Sequence, residues 1–89
     1  MNSKTFSQRF NRELSALGFP EEFSEKRKAV SKVFGITSHL AYSLIFGHAV
    51  PAVELLDKIA KVLEVCPLWL GGASDKKRAY SDREVAEPV

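Results

Sequence analysis

The residues of this chain that could do chemistry are few and lie close together. Lys26-Arg27-Lys28 is a run of three cations. Such a run is either a solvated face or a place where guanidinium and ammonium groups meet an anion, phosphate above all. Shortly after it come Ser38, His39, Tyr42 and Ser43. Their hydroxyl and imidazole groups both donate and accept hydrogen bonds. His39 and His48 are nine residues apart, which matches no metal-ligand spacing on one helix face. There is no glycine-rich phosphate loop, no nucleophile beside a base and no metal motif. No enzymatic activity, metal, cofactor or small-molecule substrate is therefore expected. Cys66 is the single cysteine, which excludes an internal disulfide and a cysteine-rich zinc site. It reads as a small buried apolar residue, and it fits the reducing cytosol.

These groups must be held by a small scaffold. A chain of 89 residues is enough for one small domain. Hydrophobic residues make up 45% and charged residues 27%, a globular balance rather than a disordered one. The net charge is only +2, so the total names no partner and its distribution matters more. No apolar run approaches the ~18–20 residues of a membrane helix. The opening MNSKTFSQRF has no apolar stretch of signal-peptide type. A cytoplasmic protein with no membrane partner is the expectation. So small a core calls for very regular helix packing or for self-association.

No segment alternates with period two, so the fold class expected is all-α, a compact bundle of five short helices. The first spans about Thr5 to Leu17, with Thr5 and Gln8 at capping-box spacing or Ser3 as cap. Phe6, Phe10, Leu14 and Leu17 face inward, and Gly18 stops the helix. Phe19 to Phe23 reads as a loop around Pro20. The second helix runs from about Glu25 to Phe34 behind a Ser24 cap, with Ala29, Val30, Val33 and Phe34 as its apolar stripe. The third follows Thr37 and turns Leu40, Ala41, Leu44 and Ile45 inward until Gly47. Pro51 suits the first position of a fourth helix carrying Val53, Leu56, Ile59, Ala60 and Leu63. Pro67 opens a last turn in which Leu68 or Trp69 caps the core, and Gly71-Gly72 ends the domain. Residues 73–89 read as a flexible charged tail or the start of a linker.

Helix two, the turn Gly35-Ile36-Thr37 and helix three have the form of a helix-turn-helix unit. Ser31 is small where the helices must approach, Gly35 suits a left-handed turn, and Ile36 buries the turn. Such a unit lays its second helix in the DNA major groove. With Thr37 as cap, Ser38, His39, Tyr42 and Ser43 are the early outward positions. Residues 24–50 hold Lys26, Arg27, Lys28 and Lys32 against Glu25, while Lys58 and Lys61 in residues 51–75 face four acids. The positive stretch coincides with the helix-turn-helix.

Here the chain resembles the lambda-repressor-like DNA-binding domain family of phage repressors and small bacterial regulators. The likeness lies in AVSKVFGITSHLAYSLIFG, the Val50-Pro51 step, LLDKIAKVLEV and CPLWLGG, and covers roughly residues 6–72. The resemblance implies a domain over residues 1–72 that binds double-stranded DNA as a homodimer and regulates transcription, as a repressor, in the nucleoid. It implies base-edge contacts from Ser38, His39, Tyr42 and, more weakly, Ser43. It implies phosphate contacts from Arg27 and from the region of His48. Lys26, Lys28 and Thr37 flank those positions and are expected to reach phosphate as well.

Helix three departs from the family pattern. It contains no Arg, Lys, Asn or Gln, the side chains that most often read purines through paired hydrogen bonds. Contact with thymine methyls, or readout of duplex shape, has to contribute more. Phe46 stands where relatives commonly place a charged residue. Phe46 and Val50 either close the core or form an apolar patch for dimerisation. The competing expectation is a protein-interaction module of the same fold that no longer reads bases.

Overall fold

The computed structural model describes residues 2–81. Among them the chain forms five α-helices and no strand: α1 (Ser3–Ala16), α2 (Phe23–Phe34), α3 (Ser38–Phe46), α4 (Val53–Leu63) and α5 (Pro67–Leu70). The all-α expectation is met. Among the described residues no single helix is long and apolar enough to cross a membrane.

The first helix starts earlier than its capping-box spacing suggests. The Asn2 side chain accepts from the backbone N–H of Lys4 and Thr5, at 2.9 and 3.2 Å. Asparagine is at least as good a cap as threonine, so Ser3 and Thr5 fall inside the first turn. At the other end Gly18 is left-handed. Its N–H bonds Ser15 O and the Phe19 N–H bonds Leu14 O, which closes the last turn. Leu17 was expected to face inward but is exposed. The helix has ended by that point, and Phe19 packs against the core in its stead.

The second helix also begins earlier, at Phe23, because Glu22 and not Ser24 is the cap. The Glu22 carboxylate accepts from the N–H of Ser24 and Glu25. Carboxylates at a helix start also meet the positive end of its dipole. The buried stripe is then Lys26, Val30 and Phe34, four residues apart, with Phe23 half-buried at its head. Val33 lies off that line and is exposed. A stripe that includes a lysine does not stand out by hydrophobicity, which is why Val33 was assigned to it.

The third helix has its expected bounds and its Thr37 cap, whose hydroxyl accepts from Leu40 N–H at 3.0 Å. Pro51 does not open the fourth helix. It is buried two residues ahead of Val53, behind an Ala52 cap. Val53 shares the spacing of Leu56 and Ala60 but stands in the first turn, 73% exposed. In α5 Trp69 is the residue that caps the core, and Leu68 points away. Cys66 is buried.

Among the described residues, sixteen apolar side chains form one core. Phe6, Phe10 and Leu14 of α1 run through it, with Phe6 and Phe10 stacked at 5.1 Å and Phe10 against Phe34 at 5.9 Å. Burial of aromatic area on this scale supplies much of the driving force in so small a domain.

Residues 73–81, expected as the start of a tail, run back along the domain. Cys66 N–H donates to Arg78 O and Tyr80 N–H to Glu64 O. The Tyr80 hydroxyl donates to the Asp57 carboxylate. Lys77 pairs with the buried Glu13 at 2.7 Å, while Arg9 donates to the Trp69 and Ser74 carbonyls. The expected tail continues over residues 82–89, which lie outside the described residues.

Two left-handed glycines separate backbone strain from crowding. At Gly18 (φ 86°) a Cβ would meet open space, whereas at Gly47 (φ 76°) it would come within 3.3 Å of Ser7 Cβ. Gly18→Ala is expected to cost about 1 kcal/mol, the left-handed penalty alone. Gly47→Ala should cost more, about 2–3 kcal/mol. Urea titrations of both variants measure the difference; equal midpoints would mean that the α1–α3 contact yields freely.

Candidate nucleic-acid interface

Helices α2 and α3 change direction by 114° across a three-residue break, Gly35 to Thr37. That is within the range of a helix-turn-helix unit. Each part of the break has a partner. Gly35 is left-handed (φ 65°), the conformation glycine adopts without penalty. Ile36 N–H donates to Ser31 O, and the Ser31 hydroxyl donates back to Ile36 O at 2.5 Å. Lys58 of α4 donates to the Phe34 carbonyl at 3.0 Å and so closes the end of α2. Ser31 is thus more than a small residue at a close approach; it also ties the turn.

The far end of α3 is held from inside the protein. The Ile45 carbonyl is one of the last acceptors of α3 and has no partner within the helix. It receives the Ser7 hydroxyl at 2.6 Å and the Asn11 amide at 2.9 Å. The Asn11 side-chain oxygen in turn accepts from Lys26 Nζ at 3.1 Å. One chain of hydrogen bonds therefore runs from α2 through α1 to α3. Lys26 is only 8% exposed. It was expected to contact phosphate, and this is a correction. Its cation is spent inside the fold, where a buried charge requires hydrogen-bonded partners.

The outer face of α3 is a continuous strip. Ser38 and His39 are exposed, Tyr42 and Ser43 half-buried, and Phe46 51% exposed. Four predicted base-contact residues therefore share one face, with Ala41, Leu44 and Ile45 on the other. Thr37 is exposed at the helix start, its hydroxyl engaged as the cap. Arg27 reaches across from α2. Its Nε donates to the Ser38 hydroxyl at 2.6 Å and to the Ser38 carbonyl at 3.1 Å. Its guanidinium carbon lies 5.6 Å from the Tyr42 ring centre and 6.0 Å from that of Phe23. Such stacking over a ring face is attractive.

Those contacts belong to an aromatic cluster that the sequence only half revealed. Phe23, Tyr42 and Phe46 meet pairwise with ring centres 4.8 to 5.7 Å apart. His48 adds a ring 5.6 Å from Tyr42 and 6.2 Å from Phe46. Phe46 neither closes the core nor stands alone; it is the exposed edge of this cluster. Val50 is partly exposed as well. Phe23 was missed because it was read as a loop residue. Its spacing of four from Arg27 was the available signal, since residues that far apart on a helix are neighbours.

The charge pattern is less one-sided than residues 24–50 suggested. With Lys26 withdrawn, Arg27, Lys28 and Lys32 remain on α2. Glu21, Glu22 and Glu25 stand at its start, Glu22 as the cap. Lys28 lies 3.9 Å from Glu25, and both side chains are largely exposed. No protein-family model, curated protein or solved structure matches this chain.

The Lys26–Asn11 bond makes a clear prediction about stability. Asn11→Leu strands a buried ammonium and should cost about 2–3 kcal/mol. Adding Lys26→Met should recover part of that loss, since two apolar groups leave nothing unpaired. Lys28→Ala should stay within about 0.5 kcal/mol. Chemical denaturation of the single and double variants tests this; strictly additive losses would show that the pair is uncoupled.

Proposed function

We propose that this chain is a DNA-binding transcriptional regulator of the lambda-repressor-like helix-turn-helix type, acting as a repressor. The observation that carries the reading is the outward strip of α3, from Ser38 to Phe46, standing at 114° to α2 with its buried side fixed to the core. An α-helix presented in this way fits the major groove. Ser38, His39, Tyr42 and Ser43 would face base edges. Lys28 and Lys32 on α2, with Arg27 and His48 at the borders of the strip, would face phosphates. Two copies on half-sites about one helical turn (~34 Å) apart would occupy an operator and exclude polymerase. The turn residues Ser31, Gly35, Ile36 and Thr37 support the same reading, and the glutamates at the start of α2 limit how much affinity can come from charge alone.

A second reading is favoured by one observation, the aromatic cluster of Phe23, Tyr42, Phe46 and His48 at the surface. Exposed clustered rings are common at protein interfaces. Under that reading the chain is an interaction module that keeps the fold without reading bases.

Salt separates the two. Duplex binding measured by fluorescence anisotropy should fall steeply as salt rises, and Lys28→Ala and Lys32→Ala should each lower the slope by about 1. Ser38→Ala and His39→Ala should instead change the preference between sequences, by about 1–3 kcal/mol at the affected base pair. Failure of any duplex to bind at low salt would defeat the regulator reading.

A further inference from the structure

The exposed strip of α3 has an unusual chemistry for a surface meant to read bases. The nine residues of α3 include no guanidinium, ammonium, carboxamide or carboxylate group. The nearest guanidinium, that of Arg27, is already committed to Ser38 at 2.6 Å and packed over Tyr42. What the strip offers a groove is the hydroxyls of Ser38, Tyr42 and Ser43, one imidazole, the half-buried Tyr42 ring and the half-exposed Phe46 ring. Both rings pack against Phe23 and His48.

In the major groove the apolar feature is the thymine 5-methyl group, and an aromatic or aliphatic side chain is its natural partner. We propose that α3 reads thymine methyl groups through Tyr42 and Phe46, rather than purine edges through paired hydrogen bonds. This inference rests on the DNA-binding reading above and names what that surface recognises. Ser38 and His39, at the N-terminal end of the strip, supply single hydrogen bonds that set register. The two rings lie one turn and two turns further along the same face, so successive methyls along the groove can be met in order. Burial of one methyl group against a ring corresponds to about a fourfold gain in affinity. Two or three such contacts give discrimination of about tenfold or more.

Uracil in place of thymine deletes the methyl and leaves every base-pairing group and the O4 acceptor intact. The test begins from the tightest duplex recovered by the intact chain from a random pool. It is resynthesised with deoxyuridine at each thymidine, and both duplexes are titrated by fluorescence anisotropy. The expected result is at least about tenfold weaker binding to the uracil duplex. Phe46→Ser and Tyr42→Ser should each bind the two duplexes with a smaller ratio than the intact chain does. Equal affinity of the intact chain for both duplexes overturns the inference and leaves DNA binding standing. A uracil effect of unchanged size in both variants also overturns it, since the methyls would then be sensed elsewhere. A dimer of the free chain in sedimentation that Phe46→Glu dissociates would put a second copy on the strip and overturn it too. No binding to any duplex at low salt removes the DNA-binding reading and this one together. Should a serine variant fail to fold, the two-duplex comparison on the intact chain still decides.

Discussion

The structure depends on how the C-terminal end of α3 is closed. A nine-residue helix leaves as many carbonyls open at its end as a long one, and it has few internal bonds to offset them. Here the Ile45 carbonyl is turned inward and receives two donors from α1, Ser7 and Asn11. Asn11 is itself held by the buried ammonium of Lys26 from α2. Gly47 then turns away at φ 76°, beside Ser7, where a side chain would crowd the contact. The three helices thus meet at one largely buried polar point beside the apolar core. A dry core fixes which residues are inside but tolerates sliding and rotation; hydrogen bonds with defined partners do not. The orientation of α3, and therefore of everything on its outer face, follows from this point.

The opposite end of the helix is fixed by different means. Thr37 caps it, Ser31 ties the turn before it, and Arg27 binds Ser38 from the neighbouring helix. Between the two ends the outer face is left to three hydroxyls, an imidazole and two aromatic rings, one of them the phenol of Tyr42. Its inner face carries Ala41, Leu44 and Ile45 into the core, with Leu40 packed at the core's edge. A helix so firmly held at both ends, with so little charge on its outer face, is suited to shape and apolar contact more than to long-range attraction. The cations that remain are on α2, close to three glutamates, so steering by charge is weak in this region.

Much of this was legible in the chain itself. The bounds of α3, its Thr37 cap and the glycines at 35 and 47 follow from local chemistry, because caps and left-handed turns depend on a few adjacent residues. The all-α class and the inward residues Phe6, Phe10, Leu14, Leu44 and Ile59 follow from period alone. The misreadings have distinct causes. Leu17, Val33 and Val53 are apolar yet exposed, Leu17 and Val53 because burial depends on where helices begin and end, and Val33 because the buried line of α2 runs through Lys26 instead. Lys26 was placed at the surface because lysine usually is, and no local signal reports an asparagine waiting on another helix. Phe23 reads as loop from its neighbours Pro20 to Glu22, yet the Glu22 carboxylate caps α2 and draws it into the helix.

The sequence by itself determined that the fold is five short helices, where α2 and α3 stop, and that a tight glycine turn joins two short helices whose later face is rich in small hydroxyl and aromatic residues. Those are consequences of hydrogen bonds and torsion preferences within a few residues. Only the tertiary structure decided that Lys26 serves the interior, that Arg27 braces the start of α3, and that Phe23, Tyr42, Phe46 and His48 share one surface. These depend on groups distant in the chain meeting in space, and packing sets those meetings.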